Sequence, residues 1–132
     1  MTLTLTAVTY LVRDYDEAIH WFIQCLGFQL LEDADMGGGK RWVRVAAAGS
    51  GSAFILAKAA NAAQRRAIAN AAGGRVAYFL HTDDFLKTHQ RMIKAGIKFR
   101  EQPRHESYGT VAVFEDLYGN GWDLIGPRKA AD

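Results

Sequence analysis

His105 to Gly126 reads HESYGTVAVFEDLYGNGWDLIG, and its pattern is that of a β-hairpin. Tyr108 to Phe114 is rich in β-branched and aromatic residues, Asp116 to Gly121 gathers the turn formers Asp, Gly and Asn, and Trp122 to Ile125 returns as a second apolar run. One acid, Asp123, interrupts that return strand. Side chains alternate along a strand, so with Trp122 and Leu124 packed against a helix, Asp123 points to the opposite face, into whatever the sheet encloses.

Upstream of the hairpin the same order of elements occurs twice. Leu3 to Val12 alternates and is rich in Thr, Val and Tyr, which predicts a strand. Asp14 ends it, the Asp14 to Glu17 spacing suits a capping box, and Ala18, Ile19, Phe22, Ile23 and Leu26 recur at helical intervals up to Gly27. Three strands follow at Phe28–Leu31, Arg41–Val45 and Ala53–Ala57, broken by Gly37-Gly-Gly39 and Gly49-Ser-Gly51. Residues 59 to 72 are Ala-rich without an apolar stripe, a linker with a turn or two of helix. Then Arg75–Thr82 predicts a strand, Asp84 caps a helix that Gly96 ends, and strands are expected at Ile97–Arg100, Tyr108–Phe114 and Trp122–Ile125.

The chain therefore reads as α+β. It has two βαβββ modules, about 3 to 58 and 74 to 126, joined by a linker at 59 to 73 within one domain of 132 residues. A βαβββ unit alone leaves one sheet face bare, so the two are expected to form a curved mixed sheet around a cavity with the helices outside. Composition narrows the function classes. The 49% hydrophobic and 11% aromatic content is globular, and 16 basic against 14 acidic residues, scattered along the chain, give no electrostatic footprint for nucleic acid. No apolar run approaches the roughly 18 residues of a membrane span, and the start MTLTLTAVTY lacks the basic region and cleavage site of a secretory signal. With a single cysteine, Cys25, the expectation is a cytoplasmic protein without a disulfide.

The run Tyr108-Gly-x-Val-x-Val-Phe-x-Asp-x-x-Gly-Asn120, followed by the acid Asp123 and Leu124, resembles the closing hairpin of the vicinal oxygen chelate superfamily. That superfamily includes glyoxalase I, extradiol dioxygenases, and fosfomycin and bleomycin resistance proteins. The resemblance covers Leu5 to Gly126 and implies sites built from paired modules and a homodimer. It also implies a divalent metal held by His, Gln or Glu in the first and last strands of each module. Carried over one position at a time, those places fall at Ala7, Ile55, Ala77 and Asp123. Only Asp123 has a donor, and one carboxylate does not hold a divalent ion, so no metal and no other cofactor is expected.

Strand register decides which side chains share the cavity. With Asp84 as the helix cap, Ala77, Phe79 and His81 face inward; with Asp83, Tyr78 enters instead and His81 leaves. Under the first register His81 and Asp123 are candidates for acid-base or ligand-anchoring roles. The competing readings are a strand-end histidine bonded to backbone and an acid that accepts backbone N–H groups. Trp42 and Arg44 share one face of RWVRV, offering either a platform and a cation for an aromatic or anionic ligand or a solvent-facing edge strand. His105 lies on a loop, at a cavity rim or simply solvated. His20, Trp21 and His89 are assigned to packing or surface, and Cys25 to packing. Two function classes follow. One is a metal-independent small-molecule-binding protein, as the bleomycin resistance members are, with Trp42, Arg44, Phe79 and His105 around the ligand. The other is a glyoxalase-type lyase or isomerase, using unusual donors such as His81, His105 and Asp123 or metal-free catalysis by His81 and Asp123.

Overall fold

The computed structural model describes residues 1 to 128. The chain divides into two compact units, Met1–Ile68 and the remainder from Ala69, each with its own four-stranded mixed sheet. Both follow βαβββ order.

In the first unit β1 (Ala7–Val12) lies parallel to β4 (Ala53–Lys58), which pairs antiparallel with β3 (Lys40–Ala46), itself paired with β2 (Gln29–Gly37), giving the order β1-β4-β3-β2. Helix α1 (Tyr15–His20) begins where Asp14 leaves the strand, its carboxylate accepting the Glu17 N–H at 2.8 Å. Glu17 meets Arg13 through its own carboxylate. The helix continues as a π-helical segment, Trp21–Leu26, and stops at Gly27, whose φ of +87° is left-handed. Phe28 N–H then returns to Phe22 O at 2.8 Å, closing the last turn. Strand alternation sends Tyr10, Val12, Val43, Val45 and Leu56 to the helix side, where they are buried with Ala18, Phe22 and Leu26. Phe22 sits at the centre, its ring 5.1 Å from Tyr10, 5.5 Å from Phe28 and 5.8 Å from Phe54.

Two boundaries in this unit differ from the sequence expectation. The first strand starts at Ala7 and not Leu3. Strand β2 runs to Gly37, well past Leu31, although Glu32, Asp33 and Asp35 are poor strand formers. Cross-strand ion pairs explain it: Arg44 to Glu32 at 2.6 Å and Arg41 to Asp33 at 2.7 Å. After β4 a short helix α2 (Ala62–Ala67), capped by Asn61, occupies the expected linker.

In the second unit the order is β5-β8-β7-β6, with β5 (Tyr78–His81) parallel to β8 (Gly121–Gly126) and β7 (Gly109–Glu115) antiparallel to both β8 and β6 (Arg104–Glu106). Helix α3 (Phe85–Lys94) is capped by Asp84, whose carboxylate accepts the Lys87 N–H at 3.1 Å. It packs close to β8: a Cβ on Gly126 would lie 2.5 Å from that of Phe85. The strand expected at Ile97–Arg100 is reduced to a bridge between Phe99 and Phe114, held by Arg100 N–H to Val113 O at 2.8 Å. Pro103 has no N–H to continue that ladder, and pairing resumes beyond it as β6. His105 is thus a strand residue, not a loop residue.

The turn between β7 and β8 is built on Asp116. Its Oδ1 accepts the N–H groups of Tyr118 (2.9 Å) and Asn120 (3.0 Å), and its Oδ2 accepts Trp122 Nε1 (3.0 Å). Asn120 Oδ1 in turn accepts the N–H of Ala71 at 3.1 Å. Trp122, Leu124, Ala112 and Phe114 are buried on the α3 side. Among the described residues no helix is long and apolar enough to cross a membrane.

Candidate functional site

Each sheet has one face turned to its helix and one turned away, and the side chains of interest lie on the second. In the first unit, strand alternation and pairing put Ala7, Thr9, Ile55, Ala57, Trp42 and Arg44 on that face, because Ile55 is the partner of both Thr9 and Arg44. Trp42 is 40% exposed while Val43 and Val45 on the reverse are fully buried. Arg44 is not a free cation, since Glu32 directly opposite it takes its guanidinium. A cavity of about 580 Å³ opens beside Trp42 and Ile55 at the end of the sheet where β3 begins and β4 ends.

In the second unit Asp123 is flanked by Phe79 on β5 and Val113 on β7. His81, two residues along β5 from Phe79, pairs with Ile125 and so lies diagonally from Asp123 on the same face. Ala77 N–H bonds Gly121 O, which places Ala77 on that face as well. His105 is elsewhere. It is the partner of Thr110, and its Nδ1 is 3.1 Å from the Thr110 hydroxyl, which puts it on the α3 side of the sheet. Strand pairing therefore brings together His81, Phe79 and Asp123 and separates them from His105.

Asp123 Oδ1 is shielded from solvent and has no hydrogen-bond donor among the described residues. Burial pushes its carboxyl above the usual carboxylate range; Arg104 nearby pulls it down and Glu101 pushes it up again. Arg104 cannot answer Asp123 fully, because its guanidinium is committed to Glu101 and Glu106, both at 2.9 Å. Glu101 Oε1 also accepts the Val113 N–H at 3.2 Å. The sequence reading missed Glu101 and Arg104. The signal was the alternation of Arg104 and Glu106 around His105, hidden because the residues after Pro103 read as loop.

Of the four positions at which the resemblance places metal donors, Ala7, Ile55 and Ala77 carry none. Among the described residues no group of three or more His, Cys, Asp or Glu side chains is placed to hold a metal ion. The carboxylates that do cluster, Glu101 and Glu106, are occupied by Arg104.

Residues 4 to 124 match the family model of the Glyoxalase/Bleomycin resistance protein/Dioxygenase superfamily. An uncharacterized protein of Shewanella frigidimarina (strain NCIMB 400) is 48% identical over 127 residues, covering 95% of this chain and 94% of its own. Among solved structures, UcmS2 superposes with a TM-score of 0.81 at 29% identity over 95% of this chain and 98% of its own. TnmS3, an antibiotic binding protein from Streptomyces sp. CB03234, has the same fold, with a TM-score of 0.74 at 23% identity over 96% of this chain and 97% of its own.

Proposed function

The chain belongs to the Glyoxalase/Bleomycin resistance protein/Dioxygenase superfamily, and from that premise we propose that it is a small-molecule-binding protein that has dispensed with the family's metal set. The observation that carries the reading is the donor set itself. Ala7, Ile55 and Ala77 offer no ligand atoms, and Asp123 alone does not satisfy a divalent ion, which needs about three or four donors. The fold likeness to an antibiotic binding protein supports a binding role. Asp123 is the proposed anchor: a desolvated carboxylate oxygen with no protein donor is satisfied by an N–H or O–H of a ligand. Phe79, 63% exposed beside it, is the proposed apolar wall, and His81 a polar neighbour. A homodimer acting in the cytoplasm remains part of the proposal, supported by the family's use of paired modules and by the single cysteine.

The test has two parts. Protein purified without tag or chelator is expected to carry well under stoichiometric Zn, Ni, Mn or Fe and to take up none on titration; near-stoichiometric metal would overturn the reading. A thermal-shift screen of aromatic compounds and antibiotics is expected to yield a saturable ligand whose affinity drops at least roughly tenfold in Asp123→Asn, the loss of one charged hydrogen bond. A screen in which every saturable ligand is indifferent to that change would remove Asp123 from the site.

A second reading, a metal-free glyoxalase-type lyase or isomerase, is favoured by the shared face of His81 and Asp123. Turnover of a hemithioacetal that His81→Gln and Asp123→Asn each reduce by roughly 100-fold, the usual worth of one acid or base, would replace the binding reading with this one.

A further inference from the structure

The first unit has a cavity that shares no residue with the Asp123 face. Its volume, about 580 Å³, is that of a small-molecule site. Trp42, Ile55, Ala57, Tyr15, Lys40 and Lys58 line it. Strand alternation accounts for four of these six. Lys40 and Trp42 are two apart on β3 and fall on one face, and Ile55 and Ala57 stand on the same face of β4. The small side chain of Ala57 leaves the indole of Trp42 uncovered, and a tryptophan 40% exposed over apolar neighbours is a platform in want of a flat partner.

The charges at the cavity are unequal in their commitments. Arg41 also lines it, but its guanidinium is bound by Asp16 at 2.8 Å and Asp33 at 2.7 Å, and it lies 5.2 Å from the centre of the Tyr15 ring. Those two carboxylates are thereby used up. Lys40 and Lys58 have no ion-pair partner among the described residues. Asp35, opposite Arg41 on β2, adds a further carboxylate to that cluster, so the preference for an anion rests on Lys40 and Lys58, the uncommitted cations that line the cavity itself.

We propose that this cavity is a binding site for a planar aromatic anion, whose ring lies on Trp42 above Ile55 and Ala57 and whose carboxylate or phenolate is met by Lys40 and Lys58. The site stands independently of the function proposed for Asp123. It differs from the platform expected in the sequence, where Arg44 was the cation: Glu32 removes Arg44 from that role, and the lysines at the strand ends take it.

The probe is 2-naphthoate, followed by calorimetry and by the indole N–H resonance of Trp42 in a two-dimensional NMR spectrum, assigned with Trp42→Phe. Saturable movement of that resonance is expected, with binding weakened at least tenfold in the double variant Lys40→Gln/Lys58→Gln and roughly threefold in each single one, as for exposed charge contacts. Asp123→Asn should leave naphthoate affinity unchanged, which separates this site from the other. Both lysines are exposed strand-end residues, so their variants keep the fold. The proposal is overturned if 2-naphthylmethylamine binds as tightly as naphthoate, if the double variant binds unchanged, if Asp123→Asn abolishes binding, or if millimolar naphthoate leaves the Trp42 resonance in place.

Discussion

At Asp123 the folded protein holds a carboxyl that would rather be neutral, chiefly because burial strips its water. Its folded pKa lies above the unfolded value, so the stability tied to this group is present below about pH 4 and is lost as pH rises through the folded pKa. Above that folded pKa the chain carries the cost of an ionised, part-buried group. Asp123→Asn removes that charge and is expected to reduce the loss of stability, measured by urea denaturation, that accompanies a rise in pH from 3 to 7. A destabilised variant at pH 7 would mean that the carboxylate is held by partners in solution. His89 is the opposite case. Its ring is stacked on Phe85 at 5.4 Å and lies 4.4 Å from Phe99, and burial lowers its pKa. The unfolded chain takes up a proton at this residue near pH 6.5 and the folded chain resists it, so folding stability falls as pH drops below that value toward the folded pKa. His89→Phe keeps an aromatic ring in the cluster and should flatten the stability profile between pH 7 and 5; an unchanged slope would exonerate His89.

Elements were legible where side-chain pattern and backbone partner agreed. Asp14, Gly27, Asp84 and Gly96 bracket the two main helices where capping chemistry places them, and the closing hairpin pairs Phe114 with Trp122. The misses have a common cause. Strand β2 is held by ion pairs to a neighbour twelve or fewer residues away, and β6 exists because β7 offers it a ladder, so neither is written in its own residues. The same limit applied to the sites. Alternation put Phe79, His81 and Asp123 on one face, but which cations were free depended on Glu32, Asp33 and Asp16, and no local pattern assigns ion-pair partners. Asp116 shows how much one turn residue can carry: three donors converge on its side chain, including the indole of a buried tryptophan. Asp116→Ala is expected to cost about 3 kcal/mol, measured by the urea midpoint, because it strands those donors. A loss under roughly 1 kcal/mol would show that water replaces the carboxylate.

For the molecule as a whole, light scattering after size exclusion is expected to give twice the chain mass at micromolar concentration; a monomer there would remove the homodimer from the proposal. With a net charge of +2 and basic residues largely matched by acids, solubility leans on local placement more than on overall repulsion. That makes the outer edge of the first sheet consequential. All nine residues of β2 are exposed, Leu30, Leu31 and Met36 among them, and β2 has a neighbour on one side only. An open edge of that length is a template onto which foreign strands can add, and what guards it is a row of acids, Glu32, Asp33 and Asp35, with two register breaks that bend it. Arg41 holds the Asp33 carboxyl below its ordinary range, so the Arg41 pair persists above pH 4 and fails as pH falls through the folded pKa. Acidification should thus strip the guard while the edge persists. Turbidity and thioflavin fluorescence are expected to rise below about pH 4, and Leu31→Lys, which adds a charge that acid does not remove, to delay that rise.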